Sequence, residues 1–448
     1  MSAVLIRGGW VLAPEPLRDG AVLIEGSTIA AVGSWAELSA AHPDAEVHGG
    51  PRDIISPGFV NVHGHFSEGL ITGIARDFTL WEWLHVLIQR VDPHMDRTKA
   101  YLGTQLAGIQ MLRSGITTAN DMFVCHPTDE PVTPAVVEAL DELGLRGVLS
   151  FGAGDRSGPG MEAQFDEHEA LREAAASSRL STFRLGIGAL GGQSDEMFAA
   201  SVNYAVDGGH GVHIHIQEIR EEVTATFERT GRTVVGHCAH EGLFAAPTLA
   251  AHCVWVDRHD RQLLAEHRVG VAHNPVANMI LASGVAPVLE MRQLGIDVGI
   301  GVDGAASNDS QDYLQALKSA ALLARVHHQQ AKAMSAREAW EMGTIGGARA
   351  LRMDDVIGSL DVGKQADVVV FDGSGPTLAN VHDPYQAVVF VAGSREVAEV
   401  WVAGEASLLD GDVVRVDARE VADRSRPEAA ALAQLAGLHE LSALVVAP

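Results

Sequence analysis

The chain has 448 residues, of which 47% are apolar and 20% charged, a balance typical of a folded globular protein with room for one large and one smaller domain. Its formal net charge of −26 repels nucleic-acid phosphates and anionic lipid, and no stretch predicts a membrane span, so neither nucleic acid nor a membrane is expected as a partner. Residues 1–9 lack the pattern of a signal peptide, and three separated cysteines (Cys125, Cys238, Cys253) predict no disulfide framework, which favours a reducing cytoplasm.

Short strand-like runs broken by glycine and proline open the chain, in AVLIRGGWVLAP and GAVLIEGSTIAAVG. Similar runs recur near the other end, in ADVVVFDG, AVVFVAG, VAEVWVAGE and DVVRVDA. Two β-rich ends around a long middle predict one small β-sandwich domain composed of residues 1–55 and 356–418. The run SRPEAAALAQLAGLHELSALV is amphipathic and predicts a C-terminal helical tail over 419–448.

Residues 56–355 alternate strand-like and helix-like segments. After the opening strand in PGFVNVH, the candidate strands lie in GITTAND, LRGVLSFGAG, FRLGIGAL, HGVHIHIQE, LAAHCVWVD, RVGVAHNP and GIDVGIGVDG. Amphipathic runs such as AYLGTQLAGIQMLRSG and TPAVVEALDELG lie between them. About eight such units over about 300 residues suit a barrel. We therefore predict an α/β fold: a distorted (β/α)₈ TIM barrel over 56–355, with the small β-sandwich domain formed from both termini.

Histidines and acidic residues stand at the ends of several candidate strands, where barrels of this kind gather their reactive groups. These residues are His63, His65, His213, His215, Glu218, His252 and Asp303. Residues i and i+2 on a strand point to the same side, so His63 and His65 can both face the barrel axis. A single histidine in a strand is more often a core residue. Three imidazoles and a carboxylate together, however, form a donor set suited to zinc or a similar divalent ion.

In this order the motifs resemble the amidohydrolase superfamily, in its cytosine-deaminase-like and chlorohydrolase branch. The matching pieces are PGFVNVHGHF, HIHIQE, AAHCVWVD, HNPVAN, GVDGAASND and EAWEMGTIGGARAL…IGSLDVGKQADVVVFD. The resemblance spans essentially the whole chain, including the split β domain. Some members hold two metals bridged by a modified lysine, but FRLGIGALGGQSDE has no lysine, which favours one ion, zinc or alternatively iron. The chain also lacks the P-C-x-x-C pair of the other zinc deaminase class.

The resemblance implies a role for each motif residue. The implied ligands of one divalent ion are His63, His65, His215 and Asp303. Glu218 is implied to be the proton shuttle, and its three-residue step from His215 favours His215 over His213 as the ligand. His252 is implied to lie beside the metal-bound water and polarise it. Asp303 can also accept the water's proton while it touches the metal.

The resemblance also places the loop after the first strand over the substrate. Members that act on adenosine-like compounds carry an acidic residue for the ribose where this chain has Trp81, and a histidine where Gly188 and Ala189 stand. Both departures argue against a nucleoside and favour a small planar N-heterocycle, with Trp81 or Trp83 as a stacking wall. Trp83 is expected to pack within a helix. The other expected substrate contacts are Glu68, which could instead be a solvated loop carboxylate, His273 and Asn278.

Together these features predict a metal-dependent aminohydrolase that deaminates a purine, pterin, pyrimidine or triazine ring by attack of metal-bound hydroxide. Removal of another ring substituent, such as chloride or an alkylamine, or opening of a cyclic amide, is an alternative. An inactive relative kept as a scaffold would show damaged ligands, whereas all four ligands and Glu218 are present. We expect a cytoplasmic homo-oligomer that binds a small-molecule heterocyclic substrate.

Overall fold

The structure, a computed structural model, describes residues 3–13, 15–74 and 77–438. The strands in chain order are β1 (Val4–Val11), β2 (Leu17–Glu25), β3 (Thr28–Ser34), β4 (Glu46–Pro57), β5 (Phe59–His65), β6 (Ile116–Phe123), β7 (Arg146–Phe151), β8 (Ser181–Ala189), β9 (Gly211–Ile216), β10 (Thr248–His252), β11 (Gly270–His273), β12 (Val298–Ile300), β13 (Asp303–Gly304), β14 (Val368–Phe371), β15 (Val397–Val402), β16 (Glu405–Leu409) and β17 (Asp412–Val413). The α-helices are α1 (Trp35–Ala41), α2 (Leu80–Trp83), α3 (Gln89–Val91), α4 (Arg97–Arg113), α5 (Pro134–Leu143), α6 (Met161–Ser177), α7 (Asp195–Gly208), α8 (Arg220–Thr230), α9 (Val234–His240), α10 (Arg258–Glu266), α11 (Pro275–Ile280), α12 (Val288–Gln293), α13 (Tyr313–His328), α14 (Ala336–Gly343), α15 (Ile345–Ala350), α16 (Pro384–Gln386) and α17 (Ala418–Leu435).

The middle of the chain forms a parallel sheet in the order β12-β11-β10-β9-β8-β7-β6-β5-β13. Only Gly301 and Val302 separate β12 from β13. Because β12 pairs with β11 and β13 pairs with β5, the sheet closes on itself as a barrel. Strands such as β6 are buried along their whole length, as expected when helices cover a parallel sheet. The predicted fold class, a distorted (β/α)₈ barrel beside a sheet built from both ends of the chain, is confirmed.

The second sheet is mixed and has the order β17-β16-β15-β14-β4-β1-β2-β3. Its centre joins the two ends of the chain, because β4 pairs parallel with β1 and antiparallel with β14. Alternate residues of β14 serve two cores, since side chains on a strand point to opposite faces. Val368 and Val370 pack in the core of this sheet, whereas Val369 and Phe371 join the main barrel core. The barrel is therefore packed directly against the second sheet.

One predicted strand is wrong. The β-branched run AVVFVAG forms a π-helical turn over Ala387–Val391, directly after α16. The Asp383 carboxylate accepts hydrogen bonds from the backbone N–H groups of Tyr385 and Gln386, which starts a helix, and Val388 and Val389 are then buried. The helix-start signal and tertiary burial outweigh the strand propensity of the valines.

The C-terminal helix α17 begins at Ala418, and residues 439–448 of the predicted tail lie outside the described residues. Helix α17 packs against α4, where the Lys99 ammonium lies 3.7 Å from the Glu428 carboxylate. Within the described part of the chain, we find no helix with both the length and the apolar character needed to cross a bilayer.

Candidate metal centre and active site

Four of the predicted site residues meet at the carboxyl ends of the barrel strands. His63 and His65 end β5, His215 lies near the end of β9, and Asp303 begins β13. The Asp303 Oδ1 atom lies 3.2 Å from His63 Nε2 and 3.4 Å from His65 Nε2. The Nε2 atoms of His65 and His215 lie 3.2 Å apart. Three imidazole nitrogens and one carboxylate oxygen thus point into one small volume.

The opposite ring nitrogens of these histidines are already engaged. His65 Nδ1 lies 2.6 Å from the backbone oxygen of Met122, and His215 Nδ1 contacts the backbone oxygen of Gly188. A ring nitrogen next to a carbonyl oxygen must carry the proton, which leaves both Nε2 atoms as unprotonated acceptors. Two facing lone pairs at 3.2 Å repel each other unless a cation lies between them. The donor set therefore fits a divalent metal ion held by three histidines and one carboxylate.

The third histidine is oriented by a buried chain of side chains. Ser150 Oγ donates a hydrogen bond to the backbone oxygen of Asp121 at 2.7 Å, which leaves its oxygen free to accept from His213 Nδ1 at 3.0 Å. Asn120 Nδ2 also lies 3.1 Å from His213 Nδ1, and it donates to the Val62 backbone oxygen at 2.8 Å. The Nε2 atom of His213 can then accept from His63 Nδ1 at 2.8 Å. With the proton on Nδ1, His63 presents a free Nε2 lone pair towards Asp303. This Nε2 atom is buried and has no hydrogen-bond partner among the described residues.

The roles of His213 and Ser150 were not predicted from the sequence. Residues 213 and 215 share one face of β9, as the i, i+2 rule states, but His213 lies one layer deeper in the barrel and contacts the ligand candidate His63. The spacing that sets Glu218 three residues after His215 was the available signal for separating the two histidines. Ser150 carries no spacing signal at all.

Backbone strain is concentrated at the strand ends that carry these groups. Gln217, His252, Cys253 and Asp303 all adopt positive φ, with values of 51°, 70°, 49° and 62°. Non-glycine residues seldom occupy this left-handed region, and each such residue costs roughly 1 kcal/mol or more. Neither His252 nor Asp303 could direct its side chain in the same way from an extended strand. The surrounding barrel therefore maintains these backbone conformations, which lower local stability but direct the side chains into the site.

Next to the histidine cluster, Glu218 and His252 face each other. Glu218 Oε2 lies 3.5 Å from His252 Nε2, and Asp303 Oδ2 lies 3.9 Å from the same nitrogen. His252 Nδ1 is 2.9 Å from Asn278 Oδ1, an acceptor that fixes the proton on Nδ1. Ser283 Oγ donates to Glu218 Oε1 at 2.8 Å. One acidic and one basic group thus face the same space beside Asp303.

Electrostatics separates the acid–base properties of these groups. Burial raises the pKa of Glu218, and the nearby Asp303 charge acts in the same direction. Burial by itself would lower the pKa of His252, but Glu218 and Asp303 outweigh it, so the pKa is raised. For Asp303, burial by itself would raise the pKa, but His63 and His252 outweigh burial and lower the pKa strongly. Burial lowers the pKa of His63 to about 4, which keeps this ring neutral and able to donate a lone pair.

The four expected substrate contacts lie in different surroundings. Glu68 is not a solvated carboxylate: it is buried, and its Oε2 accepts hydrogen bonds from the backbone N–H groups of Ala306 and Ser307 at 2.8 and 3.1 Å. His273 ends β11 and is buried, with an Nδ1 atom that has no partner among the described residues. Asn278 holds His252, as described above. Trp81 is 50% exposed at the start of α2.

Trp83 is buried within the same helix, as expected, and donates from Nε1 to the backbone oxygen of Ala306 at 3.2 Å. Glu68 accepts from the N–H of that same residue. The first loop is therefore attached to the loop after β13 from both sides. Asp92 continues the helical segment directly after α3. Burial and the Asp303 charge raise the pKa of Glu68, and the Asp92 charge adds to this effect.

Comparison with known proteins finds similar sequences along nearly the whole chain. A family model described as "Amidohydrolase family" matches residues 54–407, and one described as "Imidazolonepropionase-like composite domain, bacteria" matches residues 20–45. A 5'-deoxyadenosine deaminase of Methanopyrus kandleri is 34% identical over 428 residues, covering 94% of this chain and 97% of the relative. A 5-methylthioadenosine/S-adenosylhomocysteine deaminase of Pelotomaculum thermopropionicum is 35% identical, covering 94% and 96%.

Among solved structures, an adenosine deaminase from Xanthomonas campestris with bound zinc is similar over nearly its whole length. The TM-score is 0.89 with 27% sequence identity, covering 97% of this chain and 99% of the other. Sequence and structure comparisons therefore both extend across the barrel and the second sheet.

Proposed function

The chain belongs to the amidohydrolase family, and we propose that it is a zinc-dependent deaminase of an adenosine-type nucleoside. The coarser activity is that of a metal-dependent aminohydrolase acting on a C–N bond of a small N-heterocycle. The observation that carries the proposal is the facing pair Glu218 and His252 beside the three-histidine, one-carboxylate cluster. One zinc ion would be held by His63, His65, His215 and Asp303.

A divalent ion in this cluster would polarise a water molecule and supply a nucleophile at neutral pH. Glu218, whose pKa is raised by burial, can hold a proton and donate it to the ring nitrogen beside the amino-bearing carbon, which makes that carbon electrophilic. Asp303 accepts a proton from the attacking water. His252, whose Nε2 atom lies 3.9 Å from Asp303 Oδ2, orients that water. His252 and Asp303 lie at strand ends and Glu218 lies two residues beyond β9, so these groups are already directed into the site before a substrate binds.

Proton transfers by these same residues complete the balance. The proton accepted by Asp303 passes to the amino group, which leaves as ammonia when the carbon–nitrogen bond breaks. The hydroxyl added to the ring carbon then becomes a carbonyl, and its proton returns to Glu218. Water and an amino-substituted ring are thus converted into a lactam and ammonia, and both carboxyl groups regain their initial protonation states.

The nucleoside is favoured over a free base for two reasons. The relatives at 34% and 35% identity are named for nucleoside substrates. The expectation against a nucleoside rested on Trp81 and on the absence of a histidine at Gly188 and Ala189. Trp81 is half exposed, whereas Asp92 supplies a carboxyl in the same loop whose pKa burial raises to about 8. The Asp92 carboxyl makes no side-chain hydrogen bond among the described residues, which suits it to the ribose hydroxyls, and we assign it that contact. Glu68 and His273 remain candidates for the ring.

The experiment is an ammonia-release screen with purified, zinc-loaded protein. We expect turnover of 5'-deoxyadenosine or adenosine that exceeds turnover of adenine, guanine or an aminotriazine, and no chloride release from a chlorotriazine. Asp92→Asn should raise KM for the nucleoside while leaving turnover of any accepted free base unchanged. Release of chloride or an alkylamine without ammonia would show that the protein is the alternative hydrolase and not a deaminase. Equal turnover of nucleoside and free base would remove the ribose contact.

A further inference from the structure

Glu218 and His252 are joined by a closed ring of contacts that passes through the loop after α11. His252 Nδ1 contacts Asn278 Oδ1 at 2.9 Å, and the Asn278 backbone oxygen accepts from the Ser283 N–H at 2.9 Å. Ser283 Oγ donates to Glu218 Oε1 at 2.8 Å, and Glu218 Oε2 returns to His252 Nε2 at 3.5 Å. All four residues of the ring are buried.

The backbone N–H, the backbone oxygen and the hydroxyl of Ser283 all make hydrogen bonds. Its backbone oxygen accepts from Trp255 Nε1 at 2.9 Å, in addition to the N–H contact with Asn278. Its neighbours adopt positive φ, 54° at Ala282 and 125° at Gly284. A Cβ atom at Gly284 would lie 2.9 Å from a methyl carbon of Val254, so this position requires glycine both for its backbone and for its space. The conformation of this loop thus directs the Ser283 hydroxyl towards Glu218.

We propose that Ser283 is a positioning residue for the proton-shuttling carboxylate. The proposal rests on the proposed function for the role of Glu218. Ser283 supplies the hydrogen bond on Oε1, and the resulting torsion places Oε2 towards His252 and the reacting ring. Ser283 does not touch the reacting atoms.

The main chain of Glu218 is fixed separately, which isolates the contribution of Ser283. Glu222 Oε2 accepts from the Glu218 N–H at 3.1 Å, so the backbone stays in place when the serine hydroxyl is removed. No other hydrogen bond to the Glu218 carboxyl occurs within the described part of the chain. Without the hydroxyl, the carboxyl is free to rotate about its last torsion, where rotational preferences are weak. Removing the Ser283 hydroxyl therefore changes the orientation of the Glu218 carboxyl and leaves the Glu218 backbone in place.

The test compares Ser283→Ala and Ser283→Thr with Ser425→Ala, in the full-length zinc-loaded protein. Ser425 is also buried, but its hydroxyl donates to the Val421 oxygen inside α17, far along the chain from the site. For Ser283→Ala we expect kcat to fall about tenfold to a hundredfold, the range for loss of a hydrogen bond to a charged group, with KM within about twofold of the wild type. Zinc content and Tm should match those of Ser425→Ala. Ser283→Thr, which keeps the hydroxyl, should recover most of the lost kcat.

A crystal structure of Ser283→Ala supplies a readout that does not depend on turnover. We expect the Glu218 carboxyl to leave the orientation in which Oε2 faces His252, while Asn278 and the Glu218 backbone stay in place. An unchanged Glu218 orientation, or an unchanged kcat, would overturn the proposal. If Ser283→Ala lost zinc or had a much lower Tm while Ser425→Ala did not, Ser283 would have a general structural role instead of a positioning role. If the wild-type protein deaminated no heterocycle, the proposed function would fail, and the crystallographic comparison would still decide whether Ser283 aims Glu218.

Discussion

His63 Nδ1 lies 2.8 Å from His213 Nε2, and this contact determines which nitrogen of His63 faces Asp303. The contact continues through His213 Nδ1 to Ser150 Oγ at 3.0 Å, and from Ser150 to a backbone oxygen. Partners of this kind fix the tautomer of a metal-binding histidine and raise the basicity of its free nitrogen. His213 therefore contributes to the cluster without being able to reach a cation itself.

The first prediction concerns metal affinity. Wild-type protein should carry close to one divalent ion per chain, and His63→Ala should lower that occupancy directly. His213→Ala should keep all four ligand candidates yet weaken metal affinity about 10- to 100-fold, because His63 loses the partner that orients its ring. Competition against a chromophoric chelator gives the affinity, and elemental analysis gives the occupancy. His240→Ala, on the exposed end of α9, is the matched control. Wild-type affinity in His213→Ala would show that the tautomer chain has no part in binding.

The second prediction separates chemistry from metal binding. Glu218→Gln keeps the shape of the side chain but cannot donate or accept the transferred proton. We expect normal metal content and a fall in kcat of about 10²- to 10⁴-fold, the usual contribution of a positioned acid–base group. Glu221→Gln, a neighbouring exposed carboxylate in the first turn of α8, should leave kcat unchanged. Full activity in Glu218→Gln would assign the proton transfer to another residue.

The sequence was sufficient to predict the barrel and the cluster of polar residues at its strand ends. The reason is periodicity: repeated strand and helix patterns imply a parallel barrel, whose strand ends converge, and the i, i+2 spacing of His63 and His65 puts both on one side. The sequence was insufficient wherever the position of a site residue depends on local loop geometry. Ser283 acts through a loop with positive φ on both sides, and a lone serine carries no pattern that predicts such a loop.

The second sheet shows the same limit. Its longest strand, β4, has the sequence EVHGGPRDIISP, in which polar residues, glycines and proline hide the strand pattern. The strand forms because β1 and β14 flank it on both sides, a tertiary effect that a single sequence does not reveal. Asp92 shows a related limit. It lies in the same run of helical turns as Trp81, and sequence spacing alone does not indicate that burial raises the pKa of its carboxyl.

The third prediction concerns the junction between the barrel and the second sheet. Arg146 of β7 donates to both oxygens of Asp367, with distances of 3.3 and 3.0 Å, and both side chains are buried. Arg146→Ala should therefore lower the free energy of unfolding by about 3–5 kcal/mol, because it leaves a buried carboxylate without its partner. Urea denaturation measures the change.

The control for this pair is an exposed ion pair across the same junction. Arg113 of α4 lies 3.1 Å from Asp412 of β17, but both groups are open to solvent. Arg113→Ala should cost no more than about 1 kcal/mol, since screening by water and salt weakens exposed pairs. Equal costs for Arg146→Ala and Arg113→Ala would show that burial does not determine the strength of the Arg146 pair.

The fourth prediction is a pH dependence of stability that arises from one buried histidine. His168 on α6 is fully buried among aromatic rings, those of Phe151, Phe165, Phe183 and Tyr204. Neither of its ring nitrogens has a hydrogen-bond partner among the described residues. Burial lowers the pKa of His168 from 6.5 to about 3, although the neighbouring Glu169 charge acts in the opposite direction. The folded protein therefore keeps this ring neutral at pH values where the unfolded chain binds a proton.

The sign follows from that difference in proton binding. Between pH 6.5 and about 3 the unfolded state holds more protons at this position, so the free energy of unfolding falls as the pH falls. At 1.36 kcal/mol per pKa unit, the loss reaches about 2 kcal/mol at pH 5. His168→Leu removes the titrating group and fills the same apolar space, so its stability should exceed that of the wild type by an amount that grows with acidity. Urea denaturation of both proteins at pH 7, 6 and 5 measures this difference, with His240→Leu on the surface as the control. Parallel pH profiles for wild type and His168→Leu would mean that His168 binds a proton without disturbing the fold, and the acid sensitivity would then have to come from other groups.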